Sequence, residues 1–206
     1  MEFDKITDLI TKKYKSTESL IVGIDGAGGA GKSTISEGLE KELTAKGYRV
    51  TVFHIDDFIH PRAVRYNDDH PQWEQYYYLQ WRYDYFMREV IAPIREGRPL
   101  RPVELYDKEN DSYKTVSSDI PAGSIVIVEG VFLFRKELEG AFDVTVYIDV
   151  PKEERLERVL KRDGYIGDSE AILKKYTDRY FPAEEHYYSE CSPEERADIV
   201  LTGDEK

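Results

Sequence analysis

An eight-residue stretch near the N-terminus has the residue types and spacing of a phosphate-binding loop, or P-loop. Residues 26–33 read GAGGAGKS and match the pattern G-x-x-x-x-G-K-[ST]. Glycines let the backbone turn its N–H groups inward, and the start of the following helix adds partial positive charge. The lysine can reach phosphate oxygens, and the hydroxyl can ligate Mg²⁺. The pattern therefore predicts a nucleotide phosphate site made by Gly26, Ala27, Gly28, Gly29, Ala30, Gly31, Lys32, Ser33 and Thr34.

Three acidic side chains follow apolar runs that are typical of buried strands. Asp56 and Asp57 come after residues 49–55, and Glu129 comes after residues 124–128. Ligands of open α/β sheets collect at the carboxyl ends of the strands. We expect Asp56 to accept the proton of an attacking hydroxyl late in the reaction. Mg²⁺ would sit on Ser33, with Glu129 or Asp56 in its outer shell. One of the two adjacent aspartates could instead cap a turn.

Basic residues on a predicted helix over 152–162 form a second candidate group. Phosphoryl transfer needs cations around the transferred group, and Lys32 supplies one of them. Arg158 and Arg162 are placed to close over the phosphates as a lid, with a weaker case for Arg155. The alternative is a solvated helix face on which these arginines pair with glutamates of the same helix.

The elements that must position these residues alternate between strand and helix. Apolar runs predict strands over 20–24, 49–55, 124–130, 144–150 and 197–201, and helical spacing predicts helices over 1–18, 33–46, 73–95, 152–162 and 169–189. This order predicts one α/β domain over 1–206, a three-layer parallel-sheet P-loop NTPase fold. Residues 60–122, with a hairpin in 97–122, would form an inserted substrate-binding cap, and residues 155–168 a helical lid.

Composition narrows the partners. The chain has 206 residues, of which 29 are basic and 41 acidic, for a net charge of −12. This acidic balance disfavours a nucleic-acid polymer as partner. With Cys191 as its one cysteine it can form no intrachain disulfide, which fits a reducing compartment. Apolar runs are too short for a membrane span and no leader pattern is present, so we expect a cytoplasmic protein without a membrane partner. An apolar stripe on helix 73–95 fits either the core or a homo-oligomer.

The ordered set of motifs resembles the uridine kinase family of P-loop kinases, the group related to phosphoribulokinase and pantothenate kinase. The resemblance runs from about residue 19 to residue 201. It implies an enzyme that uses ATP and Mg²⁺ to phosphorylate a hydroxyl of a small molecule, with the 5′-hydroxyl of uridine or cytidine as the first expectation. It rests on GIDGAGGAGKST (23–34), HIDDF (54–58), NDDHP (67–71), VELYD (103–107), VEGVF (128–132) and RLERVLKRD (155–163).

The resemblance also implies roles for individual residues. Asp56 matches the family's catalytic base, and Asp69 matches the acid before His-Pro that contacts the ribose hydroxyls. Tyr106 matches a substrate-facing tyrosine, and we group Asp57 with the acceptor-binding residues. The remaining segments of the family pattern, around 179–187 and 197–200, match its C-terminal helix and strand.

The sequence also departs from the family pattern in the expected acceptor pocket. Lys108 and Asp111 stand where uridine kinases place an aromatic residue and a histidine that read the pyrimidine, and the lid loop at 164–167 is shortened. Acidic Glu109 and Asp111 would suit a cationic or donor-rich group. Three alternatives therefore stay open: a kinase of another small alcohol such as nicotinamide riboside or pantothenate, a regulatory nucleotide-binding NTPase, and an ATP-binding paralogue without an acceptor.

Overall fold

A five-stranded parallel sheet forms the centre of the protein, for which a computed structural model describes residues 2–203. The strand order is β2-β5-β1-β6-β7, and β3 and β4 form a separate antiparallel hairpin. The strands are β1 (Leu20–Gly26), β2 (Val50–His54), β3 (Val103–Asp107), β4 (Ser112–Val116), β5 (Ile125–Gly130), β6 (Val144–Asp149) and β7 (Ile199–Thr202).

Helices cover both faces of this sheet. The longer ones are α1 (Glu2–Lys13), α2 (Lys32–Ala45), α3 (72–79), α4 (83–95), α5 (Lys152–Arg162) and α6 (169–191). Single helical turns lie at Arg62–Arg65 and Pro193–Arg196, and 3-10 turns at Ile55–Asp57 and Lys136–Leu138. The first helix ends at Lys13, because residues 15–18 make a short bridge instead of the predicted last turn of helix.

Alternation along the strands divides the core into two layers. Val22 of β1 packs on one face with Ile6 of α1 and Leu39 of α2. Its neighbour Ile21 packs on the other face, in a cluster that includes Phe86 of α4. Successive strand side chains point to opposite faces, so each strand of the central sheet contributes to both clusters. The three-layer parallel α/β architecture expected from the sequence is confirmed.

Helical spacing over 73–95 predicts one helix, but the structure divides it into α3 and α4. Between them the chain pairs with the segment after β2: His60 N donates to Gln80 O at 2.9 Å, and Arg82 N donates to Phe58 O at 2.8 Å. The carbonyl of Gln80 and the N–H of Arg82 are therefore not available for the hydrogen bonds of a continuous helix. The apolar stripe of this region, including Tyr77, Trp81 and Val90, is buried in the core.

Two turns of π-helix precede prolines inside longer helices. Met87–Ile91 lies before Pro93 in α4, and Tyr176–Tyr180 lies before Pro182 in α6. Proline lacks an N–H and its ring crowds the carbonyl one turn earlier, so the helix widens locally instead of ending. Thus 169–191 runs as one helical segment, two residues longer than predicted.

Only part of the 60–122 segment stands over the carboxyl edge of the sheet. Helix α4 lies within it, yet packs on the sheet as a core layer. The turn Arg62–Arg65, helix α3 and the β3–β4 hairpin remain as the elements available to wall a site. Within residues 2–203, no helix combines the length and apolarity needed to cross a bilayer, and the expected cytoplasmic location stays a prediction.

Candidate active site

A cavity of about 810 Å³ opens at the carboxyl ends of β1, β2 and β5. Parallel strands end at the same edge, so residues far apart in sequence meet there. The P-loop contributes Gly28, Gly29, Lys32 and Ser33 to its wall, and the strand ends contribute Asp56, Asp57 and Glu129. These seven predicted site residues therefore share one cavity, together with Tyr106 and Arg162.

The P-loop has the backbone conformation that its glycines allow. Gly29 and Gly31 have φ angles of 82° and 99°, in the left-handed region that side chains other than glycine rarely adopt. A Cβ at Gly29 would lie 2.8 Å from Cγ1 of Val159, so helix α5 can approach the loop only because glycine is there. Lys32 Nζ donates to the carbonyl oxygens of Gly26 at 2.8 Å and Ala27 at 3.0 Å.

Below the P-loop, the buried carboxylate of Asp25 joins three segments. It accepts hydrogen bonds from Gly26 N at 2.6 Å, from Leu133 N at 3.2 Å and from the Tyr187 hydroxyl. Burial raises the pKa of Asp25 to about 6, against the lowering effect of these hydrogen bonds. The contact ties the first residue of the loop to α6 and to the chain after β5.

Glu129 lies between a hydroxyl and an imidazole. Its Oε1 accepts from Ser33 Oγ at 3.4 Å and lies 2.5 Å from His54 Nδ1. His54 and Glu129 are Cα partners in the neighbouring strands β2 and β5, which explains the contact. Burial alone would raise the pKa of Glu129, but the His54 hydrogen bond and the Lys32 charge outweigh it and lower the pKa. The sequence alone carries no signal for this contact, because the register between distant strands is not visible in one strand's residues.

Asp56 and Asp57 occupy the 3-10 turn that follows β2. Both line the cavity, where Asp56 is exposed and Asp57 is half-buried. Loss of hydration raises the pKa of Asp56, and the positive charge of Lys32 lowers it. The negative charge of Glu129 raises this pKa further. Loss of hydration similarly raises the pKa of Asp57. A carboxylate with a raised pKa is a stronger proton acceptor than an ordinary aspartate.

These oxygen donors fit magnesium bound with a nucleotide better than a metal held by protein alone. Within residues 2–203, no three histidine, cysteine or acidic side chains cluster closely enough to hold an ion by themselves. Mg²⁺ prefers oxygen ligands and usually takes one or two carboxylates together with substrate phosphates and water. Ser33 and Glu129, 3.4 Å apart, supply such a partial set beside the P-loop.

The basic residues of α5 divide between the cavity and the loop behind it. Arg162 lines the cavity and pairs with Asp163, which also accepts from the Tyr176 hydroxyl at 2.8 Å. Arg158 does not line the cavity and instead donates to the carbonyls of Gly29 at 3.2 Å and Ala30 at 3.3 Å. The lid role of both residues stays a prediction.

A buried ion pair behind the P-loop was not anticipated from the sequence. Arg155 Nη1 lies 3.0 Å from Glu184 Oε2, and each side chain is only 5% exposed. Glu184 Oε1 also accepts from Gly28 N at 3.1 Å, and Arg155 donates to Gly28 O at 3.1 Å. These contacts join α5, α6 and the loop. The pair links residues 29 positions apart, so local patterns carried no signal for it.

The acceptor end of the cavity contains Tyr106 but not Asp69. Tyr106 lines the cavity, and its hydroxyl donates to Asp111 Oδ1 at 2.8 Å. Asp69 lies on an exposed turn, outside the cavity wall, and its N–H donates to Asn67 Oδ1 at 3.0 Å. Thr34 is also exposed and outside the wall. Asp111 lies outside the cavity wall, and its Oδ1 accepts from the Tyr106 hydroxyl and from the backbone N–H of Arg62 at 2.9 Å.

Comparison with known proteins agrees with this architecture. The family model described as the AAA domain matches residues 22–174. A uridine kinase of Streptococcus agalactiae serotype III (strain NEM316) is 27% identical over 194 residues, which cover 88% of this chain and 86% of the relative. A uridine kinase of Streptococcus uberis is 28% identical over 196 residues, covering 88% of this chain and 85% of the relative.

A solved structure supports the same grouping. The structure of a possible uridine kinase from Bacillus stearothermophilus aligns with a TM-score of 0.78 and 31% sequence identity, over 98% of this chain and 100% of that one. Both the P-loop and the acids at the strand ends lie inside residues 22–174, which the family model matches. The chain therefore belongs to the AAA-domain family of P-loop proteins and is a uridine kinase-like P-loop kinase.

Proposed function

We propose that this protein transfers the γ-phosphoryl group of ATP, with Mg²⁺, to a hydroxyl of a small molecule. The observation that carries the proposal is that Asp56 shares one cavity with Lys32, Ser33 and Glu129. A base, a phosphate cradle and a partial magnesium site are the parts that phosphoryl transfer requires. A pure regulatory switch would not need an aspartate in a cavity whose wall extends beyond the P-loop to Tyr106 and Lys108.

Each residue has a defined part in this proposal. The backbone of residues 26–33 and Lys32 hold the phosphates, and burial lowers the pKa of Lys32 while Glu129 and Asp25 help to keep it charged. Ser33 and Glu129 would hold Mg²⁺, whose role is to neutralise charge on the phosphates. Arg162, which also lines the cavity, would add positive charge near the transferred group.

The step balances as a simple group transfer. The acceptor oxygen forms a bond to the γ-phosphorus, and the bond from that phosphorus to the bridging oxygen breaks, leaving ADP. Asp56 accepts the hydroxyl proton late, when bonding to phosphorus has made that proton acidic, and then releases it to water. No redox partner or covalent enzyme intermediate is needed.

The names of the relatives support a nucleoside such as uridine or cytidine as the acceptor. Another small alcohol is the second candidate, because Lys108 lines the cavity where a pyrimidine-reading aromatic residue was expected. A regulatory NTPase is the third candidate, and its turnover would not depend on an added alcohol.

The test is ADP release from ATP and Mg²⁺ with uridine, cytidine, nicotinamide riboside and pantothenate as acceptors. One acceptor should stimulate release strongly. Asp56→Asn should then lower kcat by about 10²–10⁴-fold, the usual contribution of a positioned base, while leaving the Kd for ATP within about twofold. Asp149→Asn, at the end of β6 and outside the cavity wall, is the control.

Two results would count against the proposal. Near-normal kcat in Asp56→Asn would remove Asp56 as the base. Slow ATP hydrolysis that no alcohol stimulates, and that Lys32→Ala abolishes, would favour the regulatory NTPase.

A further inference from the structure

Five basic side chains surround the acceptor end of the cavity. They come from the helical turn Arg62–Arg65, from the β3–β4 hairpin and from α6. All five line the cavity wall: Arg62, Arg65, Lys108, Lys175 and Arg179. In the part of the chain the structure describes, none of the five has a carboxylate oxygen within 4.0 Å. Most arginines elsewhere in the protein do have one, including Arg82, Arg88, Arg95, Arg98, Arg135, Arg155, Arg158 and Arg162.

Arg65 is the clearest member of this set. It is 9% exposed, and its Nη2 donates to the Tyr106 hydroxyl at 2.8 Å. Its Nε is buried and has no hydrogen-bond partner. The Tyr106 hydroxyl in turn donates a hydrogen bond to Asp111, so a neutral hydroxyl separates that carboxylate from Arg65. A guanidinium offers five donors, and here most of them are left without an anion.

Arg179 also lines the cavity and is more deeply buried than Arg65. It is 1% exposed, and its partners are the neutral oxygens Gln72 O at 3.1 Å and Gln80 Oε1 at 3.0 Å. The ring of Tyr66 links the two arginines: the guanidinium carbons of Arg65 and Arg179 lie 5.3 Å and 4.8 Å from its centroid. The two guanidinium groups therefore lie against the same ring at the acceptor end.

This arrangement is costly for the protein alone. Burial lowers the pKa of Arg179, and Arg65 lowers it further by repulsion. Burial also lowers the pKa of Lys175, with added repulsion from Arg179 and Arg65. Buried charges are normally paired, and like charges that face one cavity repel each other. A bound anion would remove both costs. The local sign is also opposite to that of the whole chain, whose net charge is −12.

We propose that the acceptor is an anionic hydroxy compound, whose carboxylate or phosphate group binds Arg65 and Arg179 while its hydroxyl faces Asp56. This inference rests on the proposed kinase function and narrows its substrate class. Guanidinium groups bind carboxylates and phosphates with two parallel hydrogen bonds, which suits both chemistries. Lys108, Lys175 and Arg62 would add attraction at the rim. A neutral nucleoside would leave the two arginines unpaired.

The first experiment compares acceptors in matched pairs that differ mainly in one anionic group. ADP release is measured with uridine and orotidine, pantothenol and pantothenate, glycerol and glycerate, and ribose and ribose 5-phosphate. We expect the anionic member to have at least a tenfold higher kcat/KM in every pair that gives turnover. The first three pairs test a carboxylate and the last tests a phosphate, so the panel separates the two sources of anion.

Variants test whether the arginines are responsible. Arg65→Gln and Arg179→Gln should each raise the KM for the anionic acceptor at least tenfold and leave the KM for ATP within twofold. Arg65→Lys, which keeps the charge, should recover part of the loss. Arg88→Gln is the control, since Arg88 is exposed on α4 and lies outside the cavity wall.

A binding measurement separates failure of this inference from failure of the kinase proposal. Glycerate and ribose 5-phosphate should raise the melting temperature of the Lys32→Ala variant, in which the P-loop is impaired, but not that of Arg65→Gln or Arg179→Gln. Lack of turnover with every acceptor, together with this protection, would overturn the kinase proposal alone. Preference for the neutral member of the pairs, or protection by neither anion, would overturn the anionic acceptor.

Discussion

Nδ1 of His54 lies 2.5 Å from Oε1 of Glu129, across two neighbouring strands of the central sheet. The imidazole therefore touches the same carboxylate oxygen that accepts from Ser33 Oγ at 3.4 Å. The Glu129 hydrogen bond raises the pKa of His54, and the His54 contact helps to lower the pKa of Glu129. His54 orients the acid that the proposed magnesium site depends on.

Replacement of His54 should weaken magnesium use. We expect His54→Ala to raise the apparent KM for Mg²⁺ or lower kcat by about 10–100-fold, the usual cost of losing a group that orients a metal ligand. The KM for the acceptor should change little. Steady-state rates measured over a magnesium titration give both constants.

A matched control exists on the surface. His70 also contacts a glutamate, with Nδ1 3.0 Å from Glu74 Oε2, but neither residue lines the cavity. His70→Ala should therefore leave the magnesium dependence unchanged. Equal effects of the two alanine variants would mean that His54 has no special role at the metal.

Loss of Glu184 should destabilise the protein more than loss of its neighbour. Glu184→Gln leaves the buried Arg155 without its charged partner, which costs about 3–5 kcal/mol in comparable cases. Glu185 is 71% exposed and 3.4 Å from Lys152, so Glu185→Gln should change the free energy of unfolding by less than about 1 kcal/mol. Urea unfolding of both variants measures the difference. Similar stabilities would show that the buried pair adds nothing beyond a surface pair.

The free energy of unfolding should fall as the pH rises through the range in which the buried Asp25 carboxyl loses its proton. Its pKa of about 6 is raised from 3.8, so the folded state holds this proton more tightly than the unfolded chain. The contribution of Asp25 protonation to the free energy of unfolding is complete below pH 3.8, the pKa in the unfolded chain, and is lost as the pH rises through about 6. It should decline by about 1 kcal/mol between pH 5.5 and 7.5.

The Asp25→Asn variant isolates this effect. Its free energy of unfolding, measured in urea at both pH values, should lack that decline, whereas the surface variant Asp178→Asn should keep it. A decline of the same size in Asp25→Asn would place the responsible group elsewhere.

Asp57 and Asp69 provide a test of the acceptor wall. Asp57 lines the cavity and Asp69 lies on an exposed turn outside it. Asp57→Asn should raise the acceptor KM about tenfold, as expected for loss of one charged hydrogen bond. Asp69→Asn should leave that KM within about twofold. A tenfold or larger rise in Asp69→Asn would instead support the ribose contact that the family resemblance implies, and would require the 67–70 turn to move toward the substrate.

Most of the fold was predictable because it follows from local patterns. Apolar runs located the five sheet strands, and the helix Lys152–Arg162 has the predicted ends. The single helix expected over 73–95 was wrong, because its break depends on backbone bonds from Phe58 and His60 to residues 80 and 82. Such bonds join segments whose side-chain pattern remains helical on both sides.

The sequence by itself determined the phosphate-binding end of the cavity. Gly26 to Ser33 form a contiguous motif, and Asp56 and Glu129 each follow a strand whose end must lie at that edge of a parallel sheet. Tertiary structure alone decided the partners of these residues and the character of the acceptor end. The His54–Glu129 contact depends on strand register, and the Arg155–Glu184 pair depends on the packing of two helices. The position of Arg65 and Arg179 beside the cavity, without a carboxylate partner, depends on the approach of three segments. Each of these contacts joins distant parts of the chain, so it forms only when the core packs and no local sequence pattern predicts it.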